Sequence, residues 1–390
     1  MQITGLKRTI VTVPFRKPEY WAWGSRPALT NTIIEIETDE GITGLGEAPS
    51  FPGVEFVTRI LEDGKRFLIG EDPFNVERIM RRLYGLGGWH HYRTAANSAL
   101  AGIEMALWDI IGKACNQPVH RLMGGVVNPR VRFMYFLVRQ APEAMAEEAV
   151  EAVRQGFDTL YLKVGIEPDL DLAQARAVRK AVGPGPRLRV DANEAWSVGT
   201  AVRMISQMKE LDLEFVEQPV PAHNLAEMAH VRRVTGVPIC ANESAWTHRD
   251  VFNVITHQAA DVIEIDPHED GGLLAFKKEA ALCEAAGLPV AKHSFGELGI
   301  ATAAALQVMV TCPNFLLASQ AYVSFLSDDI IAGGPFRFEQ GTLAVPTAPG
   351  LGVSIDRDQL ARYARYYEEH GAFDAYQSLG PDVIPFSPRF

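Results

Sequence analysis

The chain has 390 residues, with 37 Lys and Arg against 48 Asp and Glu, a formal net charge of −11. That acidic balance excludes a general nucleic-acid binder or a protein that docks on anionic membranes, since both need a basic footprint. Hydrophobic residues at 47% and charged residues at 22% are ordinary for a folded globular chain, so wholesale disorder is excluded too.

The N-terminus, MQITGLKRTIVTVPF, alternates like a strand and lacks the apolar core of a signal peptide. No run of 18 apolar residues appears, so no membrane span is expected. Cys115, Cys240, Cys283 and Cys312 are far apart and form no CxxC pair, which reads as reduced, mostly buried thiols. The expectation is a soluble cytoplasmic protein.

Residues 1–50 read as an antiparallel β unit, with ITGLKRTIVTV and NTIIEIET alternating before the turn DEGITG. Residues 54–125 read as helical and end near Pro118 and the pair Gly124-Gly125. Strands followed by helices make an α+β module over residues 1–125.

From about residue 126 to 335 the pattern becomes periodic. Short β-branched runs (VRFMYFLV, TLYLKVG, RLRVDAN, EFVEQP, PICANES, DVIEID, LPVAKHS and NFLLAS) alternate with amphipathic helical stretches. Eight apolar strands alternating with helices predict an α/β domain with a parallel sheet covered on both sides. Units of similar length, without a GxGxxG turn, favour a TIM-type barrel over an open doubly wound sheet. The tail, residues 336–390, adds a strand-like piece and a last helix that should return to the N-terminal module.

Barrels gather catalytic groups at the C-terminal ends of their strands. Those ends carry Lys163, Asp191, Glu217, Glu243, Asp266 and His293, spaced by 28, 26, 26, 23 and 27 residues, one barrel unit each. A single carboxylate after a strand is often the N-cap of the next helix. Behind Asp191, Glu217 and Glu243, however, further turn residues precede the helix pattern. Three carboxylates brought together repel unless a cation sits among them, and an all-oxygen set suits Mg2+, with Mn2+ as a substitute. Asn193 and Asn242 flank these residues and could orient them.

Lys163 ends an otherwise apolar strand, where burial tunes an amine toward general-base work; a snorkelling lysine is the plain alternative. Asp266, one strand before His293, could fix its tautomer and raise its basicity, giving an acid/base dyad. Two bases flanking a metal site define a class of reaction: removal of the α-proton of a carboxylate substrate.

At these residues the chain resembles the enolase superfamily, and within it the mandelate racemase/muconate lactonizing branch. The resemblance covers nearly the whole chain, from EIETDEGITGLGEA and ALAGIEMALWDIIGKACNQPVHRLMGG to VPTAPGLGVSID. It implies a modified (β/α)7β barrel with an α+β N-terminal capping domain completed by the C-terminal tail. It places the metal ligands on Asp191 (VDANEAW), Glu217 (VEQP) and Glu243 (ANES). It places the Asp–His dyad of the mandelate racemase subgroup on Asp266 (IDPHEDGG) and His293 (KHSFGELG). The muconate-type subgroup has a lysine at the end of the sixth strand, and IDPHE has none. Lys292 neighbours His293, but alternation should point it the other way.

Two positions depart from the family pattern. Lys-x-Lys at the second strand reads Tyr161-Leu162-Lys163, so a carboxylate-binding lysine has become tyrosine. The glutamate of the eighth strand is replaced in LLASQ by Ser319 or Gln320. By resemblance, the capping loops carrying Tyr20, Trp21, Trp23, Arg26 and Phe51 should contact substrate, with packing or an oligomer contact as the alternative for the tryptophans. His268 could also line the site. His90 and His91 in WHHYR could bind a hydroxylated substrate or meet another subunit.

The resemblance implies a Mg2+-dependent lyase that dehydrates a sugar acid to a 2-keto-3-deoxy acid, in a homo-oligomer. Racemisation, epimerisation or cycloisomerisation of a carboxylate is the alternative, and a non-catalytic scaffold is a third. Six polar strand ends weigh against the scaffold, because unused buried carboxylates are a net cost.

Overall fold

The computed structural model describes residues 1–86, 93–373 and 388–390. The alternating N-terminus forms a three-stranded antiparallel sheet: β1 (Ile3–Trp21), β2 (Gly24–Thr38) and β3 (Thr43–Pro49), in that order. β1 and β2 pair beyond an irregularity after Pro14, as far as Trp21 opposite Gly24, so their hairpin reaches well past the sheet. On the sheet pack α1 (Val54–Leu68) and α3 (Arg93–Ala114), with α2 (Val76–Leu86) packed against those two helices, and the short α4 (Val119–Leu122) follows. Gly46 sets how closely α3 lies on β3. A Cβ at Gly46 would fall 1.8 Å from the carbonyl oxygen of Gly102, so only glycine permits this approach.

The stretch VRFMYFLV does not form one strand. β4 (Arg130–Arg132) leaves the barrel to pair antiparallel with β12 (Thr342–Ala344) in the tail, and β5 (Tyr135–Leu137) begins the barrel sheet. Between them Phe133 turns to bridge Ser319, which breaks the run. The barrel strands continue as β6 (Thr159–Lys163), β7 (Arg187–Asp191), β8 (Leu213–Glu217), β9 (Ile239–Ala241), β10 (Val262–Ile265) and β11 (Val290–Lys292). All are parallel and neighbour one another in chain order from β5 to β11. The intervening helices are α5 (Pro142–Arg154), α6 (Pro168–Val182), α7 (Val198–Met208), α8 (Leu225–Thr235), α9 (His248–Thr256) and α10 (Leu273–Ala285), with α11 (Gly299–Met309) after β11.

The expected eighth strand, NFLLAS, is reduced to two residues. The backbone N–H of Met134 bonds the carbonyl of Ser319 at 3.0 Å, and that of Gln320 bonds Lys292 at 2.8 Å. These bonds join the two edges of the seven-stranded sheet. The result is a closed TIM-type barrel with an antiparallel capping domain.

α11 is buried on every side, because the barrel lies under it and β3, α3 and α4 cover it. Its sequence, GIATAAALQVM, is accordingly apolar all round. In the tail, α12 (Arg357–His370) packs on β1, and the Arg357 guanidinium donates to both carboxylate oxygens of Glu35 at 2.8 and 2.6 Å. The chain then ends against the barrel: the N–H groups of Arg389 and Phe390 bond the carbonyl of Ala195, in the loop after β7. No helix among the described residues is long and apolar enough to cross a membrane.

Candidate active site

The strand register builds the site. Lys163 stands opposite Asp191, and Asp191 opposite Glu217, so three charged residues form one row at the C-terminal ends of β6, β7 and β8. β9 is shorter, and Glu243 comes from the tight turn Glu243–Ala245 that follows it. The loops after β7 and β8 hold Asn193, Glu194 and Gln218 at positive φ, backbone strain of the kind that concentrates at functional sites.

Asp191 is the hub. Its Oδ2 accepts from Lys163 Nζ at 2.6 Å and Tyr161 Oη at 2.5 Å, and its Oδ1 from the backbone N–H of Asn193 at 2.8 Å. The Asn193 amide joins two more groups, accepting from Lys163 Nζ at 3.0 Å and donating to Glu243 Oε1 at 2.9 Å. Glu217 Oε1 and Glu243 Oε2 are buried without a hydrogen-bond partner. Burial, then the neighbouring Asp191, pushes the Glu217 carboxyl well above the ordinary range and lifts that of Glu243 to about 8. Burial opposes a charged Lys163, but Asp191 and Glu217 outweigh it and hold its pKa above the usual value.

Among the described residues, no three carboxylates, histidines or cysteines stand close enough to form a ready-made metal cage. Lys163 and Tyr161 both donate to Asp191 Oδ2. The donor chemistry nonetheless fits a hard divalent ion: three carboxylates, of which Glu217 and Glu243 have raised pKa values and each carry an orphaned oxygen.

Lys163, Asn193, Glu243 and His293 line a cavity of about 340 Å³ under the capping domain. Trp21, Trp23, Arg26 and Phe51, which the family resemblance implies as substrate contacts, line it from above. Trp23 Nε1 donates to the carbonyl of Asn193 at 2.6 Å and so ties the cap hairpin to the loop after β7. The Arg26 guanidinium pairs with Glu19 at 2.7 Å, which also accepts from the Tyr322 hydroxyl, and lies 5.0 Å over the Tyr322 ring. Phe51, Trp246 and Phe295, from three loops, form a triangle of rings with centroids 5.2 to 5.7 Å apart.

The structure places several of the expected site residues away from the cavity or with other partners. Tyr161 is fully buried and is not among the cavity-lining residues; as a tyrosine beside Asp191, it donates to that carboxylate. Ser319 is also fully buried, its hydroxyl accepting the backbone N–H of Lys292 at 3.0 Å as part of the barrel closure. His268 is held under the cap, Nδ1 at 2.8 Å from Asp266 and Nε2 at 3.3 Å from the carbonyl of Glu47. Asp266 makes no hydrogen bond to His293: its Oδ1 meets the His268 ring, and its Oδ2 lies in an ion pair with Lys292 at 3.1 Å but closes no hydrogen bond. His293 Nδ1 instead faces Glu269 Oε1 at 3.3 Å. Burial, against the pull of Asp266, lowers the His293 pKa to about 3. Lys292 points away from the cavity into a buried pair with Glu297 at 2.8 Å. Trp89, His90, His91 and Tyr92 lie outside the described residues.

The pattern had not singled out Glu19, Trp246, Phe295 or Tyr322, which sit on irregular loops or in the cap. Nor had it singled out Glu264, an inward position of β10 that accepts from Gln320 at 2.6 Å. The unusual acid run His268-Glu269-Asp270 was the available signal for Glu269.

Residues 3–124 match the mandelate racemase/muconate lactonizing enzyme N-terminal domain, and residues 144–359 the enolase C-terminal domain-like family. The chain belongs to the mandelate racemase/muconate lactonizing branch of the enolase superfamily. The relatives in this superfamily are enzymes. An N-succinyl-L-Arg/Lys racemase of Bacillus cereus is 29% identical over 92% of this chain and 97% of its own. A Streptomyces coelicolor protein named "Probable glucarate dehydratase" is 32% identical over 94% of this chain and 93% of its own. A solved enolase of Pseudomonas fluorescens, with bound magnesium, potassium and tartrate, superposes with a TM-score of 0.90 at 27% identity, covering 100% of this chain and 99% of that one.

Proposed function

We propose that this enolase-superfamily enzyme removes the α-proton of a small hydroxylated carboxylate and expels its β-hydroxyl, the dehydration of a sugar acid to a 2-keto-3-deoxy acid. One observation carries the reading: Lys163, a cation, and His293, the proton-transfer group, line the same cavity as Glu243 and lie beside the acidic row of Asp191 and Glu217. Asp191, Glu217 and Glu243 would hold Mg2+, which when bound offsets the negative charge that builds on the substrate carboxylate as the α-proton leaves. The magnesium and tartrate found with the Pseudomonas fluorescens relative support that choice of ion and class of ligand.

Burial favours the neutral imidazole of His293, which keeps a lone pair that can take a proton. Once protonated it can return that proton to a departing β-hydroxyl, so one imidazole serves both halves of a dehydration. Lys163, kept cationic by Asp191, supplies positive charge beside the substrate carboxylate.

A second reading, racemisation or epimerisation, is favoured by the presence of Lys163 and His293 together, one able to take a proton and the other to give one. Proton exchange in D2O with Mg2+ separates the two across a library of acid sugars and N-acylated amino acids. A dehydratase yields a 2-keto acid that reacts with semicarbazide. A racemase washes deuterium into the α-position without loss of substrate. No turnover and no exchange across the library would sink both readings.

A further inference from the structure

We infer that Gln320, braced by Glu264, is a positioning residue for Glu217 and, through it, for the divalent cation. This rests on the metal site proposed above, and its test reads binding, not turnover.

Gln320 lies in the closure of the barrel, where its backbone N–H bonds the carbonyl of Lys292 at 2.8 Å. The residue is fully buried. Its side-chain nitrogen donates to Glu264 Oε2 at 2.6 Å and reaches Glu217 Oε2 at 3.4 Å. One amide nitrogen carries two hydrogens, so a glutamine can serve both carboxylates at once. The opposite orientation of the amide would set its oxygen against two carboxylate oxygens, so the surroundings dictate which way it points.

Glu264 is held in turn. It is fully buried on β10, and its Oε1 lies 3.9 Å from Arg189 Nη1. Arg189, fully buried on β7, donates to Glu214 at 2.6 Å and to the carbonyl of Ala318 at 2.5 Å. Its guanidinium stands 4.4 Å from the centre of the Phe215 ring. A chain of polar groups thus crosses the barrel interior from Glu214 through Arg189, Glu264 and Gln320 to Glu217.

The end of that chain distinguishes the two oxygens of Glu217. Oε2 meets an N–H, whereas Oε1 is buried without a protein donor and is the oxygen left for a cation. A neutral amide is what this position needs. A carboxylate at 320 would add a further acid beside Glu217 and Glu264, and asparagine falls one methylene short of spanning them.

Titration calorimetry with MgCl2 on the full-length protein tests the assignment, each variant first being shown to fold by circular dichroism. Gln320→Met keeps the length and the charge but has no donor. It should weaken Mg2+ binding by roughly 10- to 100-fold, as the loss of a hydrogen bond to a ligating carboxylate does. At position 264, glutamine and methionine remove the same charge and differ in the oxygen that accepts from Gln320. Glu264→Gln should therefore bind Mg2+ about 10-fold more tightly than Glu264→Met. Should Gln320→Met not fold, this charge-matched pair decides the question. An amide that serves structure alone would lower the unfolding temperature of the metal-free protein and leave Mg2+ affinity within about threefold of wild type. That result overturns the proposal, as does equal affinity in the two variants at 264. A wild type that binds neither Mg2+ nor Mn2+ overturns the metal reading itself and this proposal with it, so the two failures are told apart.

Discussion

Glu47, on the last strand of the cap, accepts the backbone N–H of Ala301 in the first turn of barrel helix α11 at 2.9 Å. Its other oxygen accepts the N–H of Leu298 at 2.6 Å and the amide of Asn31 at 2.6 Å. The carboxylate satisfies two donors that a helix start leaves open, and lies at the positive end of the helix dipole. Here that cap comes from another domain, so it also latches the two together. Glu47→Ala should destabilise the protein by about 2–4 kcal/mol, since several buried donors lose their acceptor. Urea unfolding monitored by tryptophan fluorescence checks this; a change below about 0.5 kcal/mol would mean that water replaces the carboxylate at no loss.

Lys163→Ala and His293→Asn should each lower turnover by roughly 10²–10⁴ if both groups move protons. Mg2+ binding should persist in His293→Asn, because the imidazole makes no contact with the three carboxylates. Lys163→Ala should tighten Mg2+, by removing a cation from Asp191. Titration calorimetry reads both effects. Weaker Mg2+ binding in Lys163→Ala would show that the lysine supports the metal site and does not compete with it.

How much of this was legible in the sequence depends on which physical quantity a feature needs. The six polar strand ends needed only the strand period, and Lys163, Asp191 and Glu217 occupy neighbouring register positions. The cavity face of Trp21, Trp23, Arg26 and Phe51 came from family likeness. Pairing within the site did not follow from spacing. Glu269 and Asp266 sit on one turn, and nothing in IDPHEDGG tells which carboxylate meets the histidine. The burial of Tyr161 depends on a hydrogen bond to an oxygen thirty residues away. The lost eighth strand depends on two backbone bonds at Ser319 and Gln320, where no periodic pattern is long enough to register.

Magnesium binding should release protons. Glu243 is lifted to about 8, mainly by burial and by Asp191, and so holds a proton at neutral pH without a cation; the same two causes raise Glu217 well above the ordinary carboxylate range. A divalent ion requires the ionised carboxylates, so affinity should rise with pH through that range. Calorimetry in buffers of differing ionisation enthalpy at pH 7 should give a net release of about one proton or more. Glu243→Gln should reduce that number and weaken binding. Tyr161→Phe, which removes a donor from Asp191, should weaken Mg2+ by about 10-fold while leaving proton release unchanged. An unchanged affinity in Tyr161→Phe would mean that the hydroxyl only fills space.

Glu104 provides a pH test away from the proposed chemistry. It lies on α3 at the edge of a separate cavity of about 510 Å³ lined also by Tyr84, Asn97 and Lys278. Its Oε1 accepts the N–H of Leu274 at 3.1 Å and the Trp108 indole at 3.3 Å, whereas Oε2 is buried without a partner. Burial outweighs those bonds and raises its pKa from 4.5 to about 7. The folded state therefore binds this proton more tightly than the unfolded chain. The resulting stability is present below pH 4.5 and is lost as pH rises through 7, a contribution of about 3 kcal/mol at most. Glu104→Gln cannot ionise and should flatten the stability profile between pH 5 and 8 relative to the wild type, without affecting Mg2+ binding. Chemical unfolding across that range, in the absence of Mg2+, measures the difference. Parallel profiles for the two proteins would show that Glu104 ionises as easily in the fold as outside it.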